Sequence, residues 1–403
     1  MFYRHYRLLP LLVVTLSICV PNLVSAQGNE PARPLLNVLG SGKKSVVGLT
    51  PAQIKRAYGF DQISNQGEGQ TIAIVDPFDH PKIEQDLGNF DSQFNLPDCT
   101  TTNGCFQKVL VCDNNNTCPG TTDTNYQFWA LEIALDVEWA HAIAPKANIV
   151  LVEVTGATLD VLLHGVDVAV SEHNPSVVSM SWGGPEFDTE DSDEGHFVPQ
   201  NVTFFAGAGD SGHGTLYPAA SPSVMSVGAT TLHVDKGGNY RNEKAWPGTG
   251  GGTSPFGPEP PYQLAYPIPN DPLTMRGTPD VAYDGDPNTG VAVYDSVPFG
   301  GATGWSQVGG TSIGVPQWSA LVAIANSLRA GDNKPALTGR QGFLYDHKVV
   351  QDSNGDMTFH DISNGKDGNC GQQCRARPGY DYLTGLGTPR ADLLIPALSS
   401  LPR

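Results

Sequence analysis

Positive charge is scarce in this chain of 403 residues. Lysine and arginine number 23 against 41 aspartates and glutamates, so the formal net charge is -18 at pH 7. Such a surface repels nucleic acid and anionic membranes, and we expect neither as a partner. The carboxylates lose their charge as the pH falls, so a chain with a sequence pI near 4.8 avoids strong positive self-repulsion in acid.

Long apolar runs are also missing, except at the N-terminus. Arg4 and Arg7 precede an apolar run at residues 8–20, and small residues follow at 24–26. This order predicts a secretory signal peptide over residues 1–26, because the run is too short to span a membrane comfortably. We therefore expect a secreted protein with no membrane contact after the signal is removed.

Cysteine is rare, with 7 in the whole chain. Cys19 lies in the predicted signal, so six cysteines remain after it. An even number of cysteines is typical of a disulfide-bonded protein in an oxidising compartment. Their close spacing favours three local disulfides. The pairs are Cys99 with Cys105, Cys112 with Cys118, and Cys370 with Cys374. A zinc site is the alternative, but no cluster of histidines accompanies these cysteines and their spacings are irregular.

Apolar strand-like segments alternate with helical patterns from residue 71 to residue 227 without a break in composition. The predicted strands are 71–75, 108–111, 148–154, 177–181, 202–206 and 224–227, and the predicted helices are 81–90, 127–143, 158–172 and 315–330. This alternation predicts an α/β fold with a parallel sheet covered by helices on both faces, in one large domain. Proline and glycine recur over 255–278, which predicts an irregular surface loop.

A nucleophile-type turn stands at residues 309–316, with the sequence GGTSIGVP. Its two glycines allow a tight turn that exposes the hydroxyl group of Ser312. Pro316 suits the first turn of the helix that is predicted to follow. The N-terminus of that helix favours negative charge near Ser312.

The clearest partners for this serine elsewhere in the chain are carboxylates. Glu132 and Asp136 are four residues apart in an apolar helical segment, so both project from one face. Burying such a pair is costly unless the two share a proton or find other partners, and they then titrate as a unit. Glu138 falls on a different face, and we expect it to be a surface or salt-bridge residue. Asp210 follows an apolar strand in a glycine loop, at the sheet edge where open α/β folds place ligands.

These features together resemble the sedolisins, the serine-carboxyl peptidases that share the subtilisin fold. Further matching segments follow in the family's order, and they are SMSWGGPE at 179–186, PDVA at 279–282, DPNTG at 286–290 and GYDYLTGLG at 379–387. The resemblance implies hydrolysis of polypeptides in acid, with Ser312 as nucleophile, Glu132 as base and Asp136 orienting the base. It also implies that Asp210 donates a hydrogen bond to the oxyanion, which a carboxyl group does only when it is protonated.

The resemblance implies three further groups of residues. Asp76, at the end of the first strand, corresponds to an acidic group that supports the carboxyl pair. Ser181, Trp182 and Gly183 correspond to a strand that pairs with extended substrate, although packing in the core is an equally good interpretation of the tryptophan. A calcium cofactor is implied, held by two carboxylates and three backbone carbonyls, and an acidic turn without metal is the alternative. The implied ligands are Asp361, Ile362, Arg377, Gly379 and Asp381.

Three segments are predicted along the chain. They are the signal peptide at 1–26, a short pro-segment or N-terminal extension at 27–48, and the peptidase domain at 49–403. Sedolisins are usually made with a long folded prodomain, whereas residues 27–48 are too few to bury a core of their own. Inhibition and assisted folding by a folded prodomain are therefore not expected from this segment. We expect the protein to be a monomer.

Two rival functions stay open. An ordinary subtilisin-type protease would combine Asp76, a histidine and Ser312, and the chain contains His213-Gly214-Thr215, a triplet that such enzymes place around their base. Its position argues against that role, because His213 lies in the loop after Asp210 rather than on a helix after the first strand. The other rival is a secreted binding or structural protein on a peptidase scaffold without catalysis, and its signature would be the loss of a catalytic residue.

Overall fold

The computed structural model describes residues 30–266, 268, 274–339 and 342–402, so the predicted signal peptide at 1–26 lies outside the described residues. The helices are α1 (Pro51–Tyr58), α2 (Ile83–Phe94), α3 (Tyr126–Ile143), α4 (Leu159–His173), α5 (Pro261–Ala265), α6 (Gly314–Gly331), α7 (His347–Val350) and α8 (Ala391–Ser400). The strands are β1 (Arg33–Pro34), β2 (Asn37–Lys43), β3 (Thr71–Pro77), β4 (Phe106–Val111), β5 (Asn148–Val154), β6 (Val177–Met180), β7 (Trp182–Pro185), β8 (Thr203–Gly207), β9 (Leu216–Tyr217), β10 (Val224–Val234), β11 (Tyr240–Ala245), β12 (Gly252–Pro258), β13 (Met275–Thr278), β14 (Val281–Asp284), β15 (Val291–Phe299), β16 (Ala302–Gly309), β17 (Phe359–His360) and β18 (Thr388–Pro389). Within the described ranges, no helix has the length and apolar character needed to cross a membrane.

The centre of the fold is an eight-stranded sheet in the order β11-β10-β8-β6-β3-β5-β4, with β14 beside β10. Its neighbouring strands pair in parallel, except that β11 runs antiparallel to β10. Parallel strands need long connections, and the helices α3 and α4 supply them on either side of β5. The predicted α/β fold with a parallel sheet is therefore confirmed.

Alternate residues of β3 point into two separate cores. Ile72 and Ile74 pack in a large core with residues of α1, α2, α3, α6 and α8. Ala73 and Val75 pack in a smaller core with residues of α4. Because successive side chains of a strand point to opposite faces, both faces of the sheet are covered. This explains why the strand sequences are apolar throughout rather than alternating with polar residues.

The predicted irregular loop at 255–278 is wrong in part. β12 and β13 pair antiparallel in this region, with α5 between them in the chain. They form a two-stranded ribbon, and a ribbon has open edges where prolines are tolerated. The frequency of proline and glycine predicted a loop, but it could not show that the two distant ends of the segment pair.

Two smaller sheets contain strands from the predicted N-terminal extension. β1 is the edge of a sheet in the order β1-β7-β9, and β2 is the edge of a sheet in the order β15-β16-β2. Residues 27–48 are thus not a separate unit where they are described, because both strands pair with later parts of the chain. The structure also joins the six cysteines of the described residues in the three predicted local pairs.

Candidate active site

Helix α3 carries two carboxyl groups into the protein interior. Glu132 and Asp136 are both fully buried, because α3 packs against α2, α6 and β15. The hydroxyl group of Ser181 donates a hydrogen bond to Oδ1 of Asp136 at 2.7 Å. Neither oxygen of Glu132 has a direct hydrogen-bond partner among the described residues. Two unneutralised charges in this position would be very costly, so the pair is stable only if it holds at least one proton.

A third carboxyl group completes the buried cluster. Asp76 lies in β3 and is fully buried, with no hydrogen-bond partner among the described residues. Burial raises the pKa of Asp76 well above its ordinary value, and the nearby charges of Asp136 and Glu153 raise it further. Burial also raises the pKa of Glu132, followed by the charges of Asp136 and Asp76. The three carboxyl groups therefore interact strongly and titrate together.

Ser312 faces this cluster from a turn at Thr311–Ile313, directly before α6. Its hydroxyl group lies 3.4 Å from the carbonyl oxygen of Ser181. Burial is the main cause of the raised pKa of Glu132, and the nearby Ser312 hydroxyl lowers that pKa. No direct hydrogen bond joins the two side chains in the described residues. Hydrogen bonds between catalytic groups often become short only with substrate in place. In the described ranges, no histidine is hydrogen-bonded to Ser312.

Gly310 lets the turn approach its surroundings closely. Its φ is 109°, in the region that favours glycine. A Cβ atom at this position would lie 2.2 Å from the carbonyl oxygen of Leu35 and 2.5 Å from Oδ2 of Asp210. A larger residue would be strained and would displace both oxygens. Glycine is therefore required for Ser312 and these two oxygens to meet.

Asp210 follows β8 and lies on the other side of the turn. Its Oδ1 accepts hydrogen bonds from the N–H group of Thr311 at 2.8 Å and from the Thr311 hydroxyl at 2.9 Å. Its Oδ2 accepts a hydrogen bond from the Asn37 side-chain amide at 2.8 Å. Burial raises the pKa of Asp210 to about 7, although these hydrogen bonds lower it. The carboxyl group is therefore protonated in acid, which is the form that can donate a hydrogen bond.

The predicted substrate-binding residues have two different environments. The carbonyl oxygen of Ser181 accepts a hydrogen bond from the N–H group of Leu35 at 3.4 Å. Trp182 is fully buried, and its indole N–H donates to the carbonyl oxygen of Val75 at 2.8 Å. Gly183 pairs with Arg33 in the β1–β7 ladder. The tryptophan side chain thus belongs to the core, while the main chain of the same segment pairs with β1 on one side and β9 on the other.

His213 lies away from these groups. Its ring lies beside Gly252 and the disulfide of Cys370 and Cys374, and the residue is exposed. This geometry does not support a histidine as the base for Ser312.

Comparison with known proteins identifies the family. A family model described as the subtilase family matches residues 109–352, more than half of the chain. The chain belongs to the subtilase family. The matched residues include α3, which carries the two carboxyl groups, and the turn that carries Ser312.

The relatives of this subtilase are sedolisins, which confirms the resemblance noted in the sequence. Kumamolisin of Bacillus sp. (strain MN-32) is 32% identical over 381 residues, which cover 87% of this chain and 63% of the relative. Sedolisin of Pseudomonas sp. (strain 101) is 28% identical over 259 residues, which cover 56% of this chain and 41% of the relative. The chain thus spans less than two thirds of the length of either relative.

Two solved structures show the same subtilisin-like fold. The first is Pseudomonas sedolisin, a serine-carboxyl proteinase complexed with two molecules of pseudo-iodotyrostatin. It matches with a TM-score of 0.70 and 24% identity over 88% of this chain and 98% of that chain. The second is sphericase, with a TM-score of 0.53 and 18% identity over 87% of this chain and 99% of that chain. Both likenesses establish the fold of this subtilase.

The implied calcium loop of this subtilase brings two carboxylates to one turn. Oδ2 of Asp381 accepts a hydrogen bond from the N–H group of Arg377 at 3.0 Å, and Oδ2 of Asp361 accepts one from Gly379 at 3.0 Å. Burial raises the pKa of Asp381 to about 6. Asp367 is another carboxyl group nearby, with both oxygens buried and without hydrogen-bond partners among the described residues. Such an oxygen-rich and negatively charged site fits a hard cation such as calcium.

Sequence analysis missed a polar network beside Asp76. Glu153 lies in β5, where Oε1 accepts a hydrogen bond from the N–H group of His80 at 2.8 Å. Its other oxygen lies 3.0 Å from Nζ of Lys108, which also pairs with Asp79. Burial raises the pKa of Glu153 to about 7, against the lowering effect of the lysine. The signal that could have revealed this network is a glutamate inside an otherwise apolar strand.

The prediction for Glu138 is wrong. The residue is fully buried rather than at the surface, and Oε2 accepts a hydrogen bond from the N–H group of Tyr294 at 3.0 Å. The reason is that β15 packs against α3 and covers the side on which Glu138 lies. The helix is therefore buried all round, which its local sequence could not show.

Proposed function

We propose that this chain is a serine-carboxyl peptidase that hydrolyses peptide bonds in acid. The observation that carries the proposal is that Ser312 lies beside Glu132, with Asp136 and Asp210 arranged around them. Kumamolisin and sedolisin among the relatives support the same reaction class. The proposed substrates are polypeptides, with no nucleic acid or membrane as partner. We also propose that the protein is a secreted monomer, with a signal at 1–26, an extension at 27–48 and the peptidase domain at 49–403.

The proposed reaction starts with proton transfer from Ser312 to Glu132. A carboxylate is a useful base when its pKa lies near the working pH, and burial raises the pKa of Glu132 in that direction. Asp136 keeps Glu132 in place by sharing a proton with it, and the Ser181 hydroxyl fixes Asp136. Asp76 adds negative charge that favours proton uptake by the pair. The base becomes available once the cluster has lost its first proton.

The oxyanion formed by attack on the substrate carbonyl needs hydrogen-bond donors. The N–H group of Ser312 is one proposed donor, and protonated Asp210 is the other. Since burial raises the pKa of Asp210 to about 7, the donor form predominates below that pH. Asp210 keeps its proton throughout the proposed reaction, because in this proposal it contacts the oxyanion and not the leaving group. Glu132 returns the serine proton to the leaving amine.

The pH dependence of proteolysis tests this proposal. We expect the hydrolysis of denatured haemoglobin to be maximal in acid and to fall as the pH rises through about 7, because Asp210 then loses its proton. The Asp210→Asn variant should lose less activity on the alkaline side, since an amide donates without needing a proton. Its maximal rate is expected to be lower, because the amide geometry differs.

The opposite pH profile would contradict the proposal. A histidine base gains activity as the pH rises through about 6.5 into its neutral form. Activity that increases from acid to neutral pH in the purified protein would therefore indicate a subtilisin-type mechanism. No hydrolysis at any pH would favour the binding protein without catalysis.

Calcium is the proposed cofactor of the C-terminal loop. The proposed ligands are the carboxylates of Asp361 and Asp381 and the carbonyl oxygens of Ile362, Arg377 and Gly379. When bound, calcium would neutralise buried carboxylates and so hold two loops together. The catalytic cluster contains none of these ligands, so the ion has a structural role in this proposal.

Removal of calcium is expected to lower the melting temperature. A ligand that is present at about 100 times its dissociation constant stabilises the native state by roughly 2.7 kcal/mol, so we expect a decrease of several degrees. Thermal unfolding of the Ser312→Ala variant, with chelator and then with added calcium, avoids self-digestion. Asp361→Asn should reduce the difference between the two conditions. An identical melting temperature in chelator and in calcium would count against the site.

A further inference from the structure

The loop that carries Asp210 packs against a hairpin from the C-terminal part of the chain. Gly212 approaches this hairpin closely, because a Cβ atom at its position would lie 2.9 Å from the carbonyl oxygen of Asp367. One residue further, the Cβ atom of His213 lies 3.9 Å from the place that a Cβ atom of Gly368 would take. The loop and the hairpin therefore contact each other along two successive residues.

On its other side the same loop is held by main-chain hydrogen bonds to residues 248–251. The N–H group of Gly212 donates to the carbonyl oxygen of Gly248 at 2.9 Å. Gly214 and Gly251 exchange two hydrogen bonds, at 2.9 Å and 2.8 Å. The loop thus lies between this segment and the hairpin. Loss of the hairpin contact would remove one of these two supports.

The hairpin, at 365–376, is held weakly by its own main chain. Its hydrogen bonds are long, at 3.4 Å from the N–H group of Asp367 to the carbonyl oxygen of Cys374 and at 3.2 Å from Ala376 to Gly365. Residues 368–372, at its tip, are all exposed. Two strands without an apolar face are marginally stable by themselves, so this hairpin needs another constraint.

The disulfide of Cys370 and Cys374 supplies that constraint. Cys374 is 1% exposed, and its Sγ atom lies 3.0 Å from the place of a Cβ atom at Gly368. A ring nitrogen of His213 and the two sulfur atoms lie within 4.8 Å of one another. The covalent link therefore lies at the contact between the hairpin and the Asp210 loop.

The environment of Asp210 depends on how tightly this loop is packed. Burial is the main cause that raises the pKa of Asp210 to about 7, whereas hydrogen bonds from Thr311 and Asn37 lower it, as does the charge of Arg33 in β1. The carboxyl group of Glu132 in α3 also interacts with Asp210 through its charge. Water that enters a loosened loop would weaken the main cause and leave the opposing causes, so the pKa of Asp210 would decrease.

The loop and the hairpin carry further charged or titratable residues. They are His213 on the loop and Lys366, Asp367 and Arg375 on the hairpin, whereas residues 248–251 include none. Replacement of the two cysteines changes none of these charges. A shift in the pH profile of such a variant therefore reports the packing around Asp210.

We propose that the disulfide of Cys370 and Cys374 is a positioning group, which holds the hairpin against the Asp210 loop and so keeps Asp210 dry and in place as oxyanion donor. The inference rests on the proposed peptidase function and adds a requirement for its oxyanion donor. The disulfide does not touch the reacting atoms in this proposal, and it acts through Asp210. Breaking it should change the rate and the pH profile more than substrate binding.

The double variant Cys370→Ser/Cys374→Ser tests this inference in the full chain. With an internally quenched peptide that the wild type cuts in acid, we expect kcat to fall roughly 10- to 100-fold, because a displaced donor stabilises the oxyanion less. KM should change less than about three-fold, since β7 is not part of the hairpin. The alkaline limb should move to lower pH by about one unit. All assays contain excess calcium, so that the proposed calcium loop is equally loaded.

The matched control is Cys112→Ser/Cys118→Ser. This disulfide follows β4 at the far edge of the central sheet, and its sequence separation is 6 compared with 4. A longer closed loop constrains the unfolded chain more, so a purely structural role predicts the larger decrease in melting temperature for the control. We expect both variants to lose only a few degrees. The control should keep the kcat and the alkaline limb of the wild type.

Reversible reduction tests the same link without a change at Cys370 or Cys374. In the control variant Cys370 is exposed, whereas neither Cys99 nor Cys105 is. A water-soluble phosphine converts the accessible disulfide to two thiols, and the phosphine takes an oxygen atom from water. We expect the same loss of kcat, and recovery after reoxidation with diamide. A serine variant that fails to fold therefore leaves the inference testable.

Each other outcome has a definite meaning. An unchanged kcat and alkaline limb in Cys370→Ser/Cys374→Ser overturn this inference and leave the proposed function in place. Equal losses of kcat in both serine variants, in parallel with their melting temperatures, overturn the positioning role, because they report global stability. Full activity after reduction of the disulfide also overturns it. A wild type that hydrolyses no peptide at any pH overturns the proposed function and this inference with it.

Discussion

The Ser312→Ala variant is expected to lose turnover by about 10⁶-fold, because the nucleophile is absent while the rest of the cluster remains. Its stability should change by no more than about 1 kcal/mol, since the hydrogen bond of the hydroxyl among the described residues is a long one, 3.4 Å from the Ser181 carbonyl oxygen. Hydrolysis of denatured haemoglobin in acid measures the first effect, and thermal unfolding measures the second.

Ser319→Ala is the matched control for this variant. Ser319 is also buried in α6, but its hydroxyl donates to the carbonyl oxygen of Val315 at 2.8 Å, within the helix itself. We expect its kcat to stay within a few-fold of the wild type. If Ser312→Ala retained activity with the same cleavage sites, the nucleophile would have to be another residue.

The Glu132→Gln variant is expected to lower kcat by roughly 10³- to 10⁴-fold. Glutamine has nearly the same shape as glutamate, but its amide cannot take the proton from Ser312. Substrate binding should change less than kcat, because Glu132 is buried in α3 and is not part of β7, the strand that we propose pairs with the peptide. Steady-state kinetics in acid separate kcat from KM and so measure this difference.

Two control variants define what this result means. Glu138→Gln changes another buried glutamate of α3 that faces Tyr294, and we expect it to keep kcat within a few-fold. His213→Ala should also leave kcat largely intact, because the ring lies beside Gly252. The serine-carboxyl mechanism is wrong if Glu132→Gln keeps most of its activity while His213→Ala loses it.

Local sequence patterns predicted most of the elements that build the site. The helix predicted at 127–143 is α3 (Tyr126–Ile143), and the strand predicted at 148–154 is β5 with the same bounds. These elements are long and apolar enough for their periodicity to be clear. The pattern failed for 255–278, because pairing between β12 and β13 depends on two segments that are far apart in the chain.

The candidate site was predictable in its chemistry but not in its surroundings. The four-residue spacing of Glu132 and Asp136 placed both on one helical face, and the glycines before Ser312 indicated the turn. In contrast, nothing near Glu138 in the sequence shows that Tyr294, 156 residues away, covers it. The contact of Asn37 with Asp210 spans 173 residues and was equally hidden.

The sequence by itself determined the types of chemical group, the α/β alternation and the order of the motifs, because these depend on residue identity and local periodicity. Only the tertiary structure decided which groups lose contact with water and which meet. Burial raises the pKa of Asp210 to about 7. The packing of the N-terminal strands places the Leu35 carbonyl oxygen 3.0 Å from the N–H group of Ser312. Both results depend on packing between distant segments, and that packing sets the local dielectric and the distances on which charge and hydrogen bonding depend.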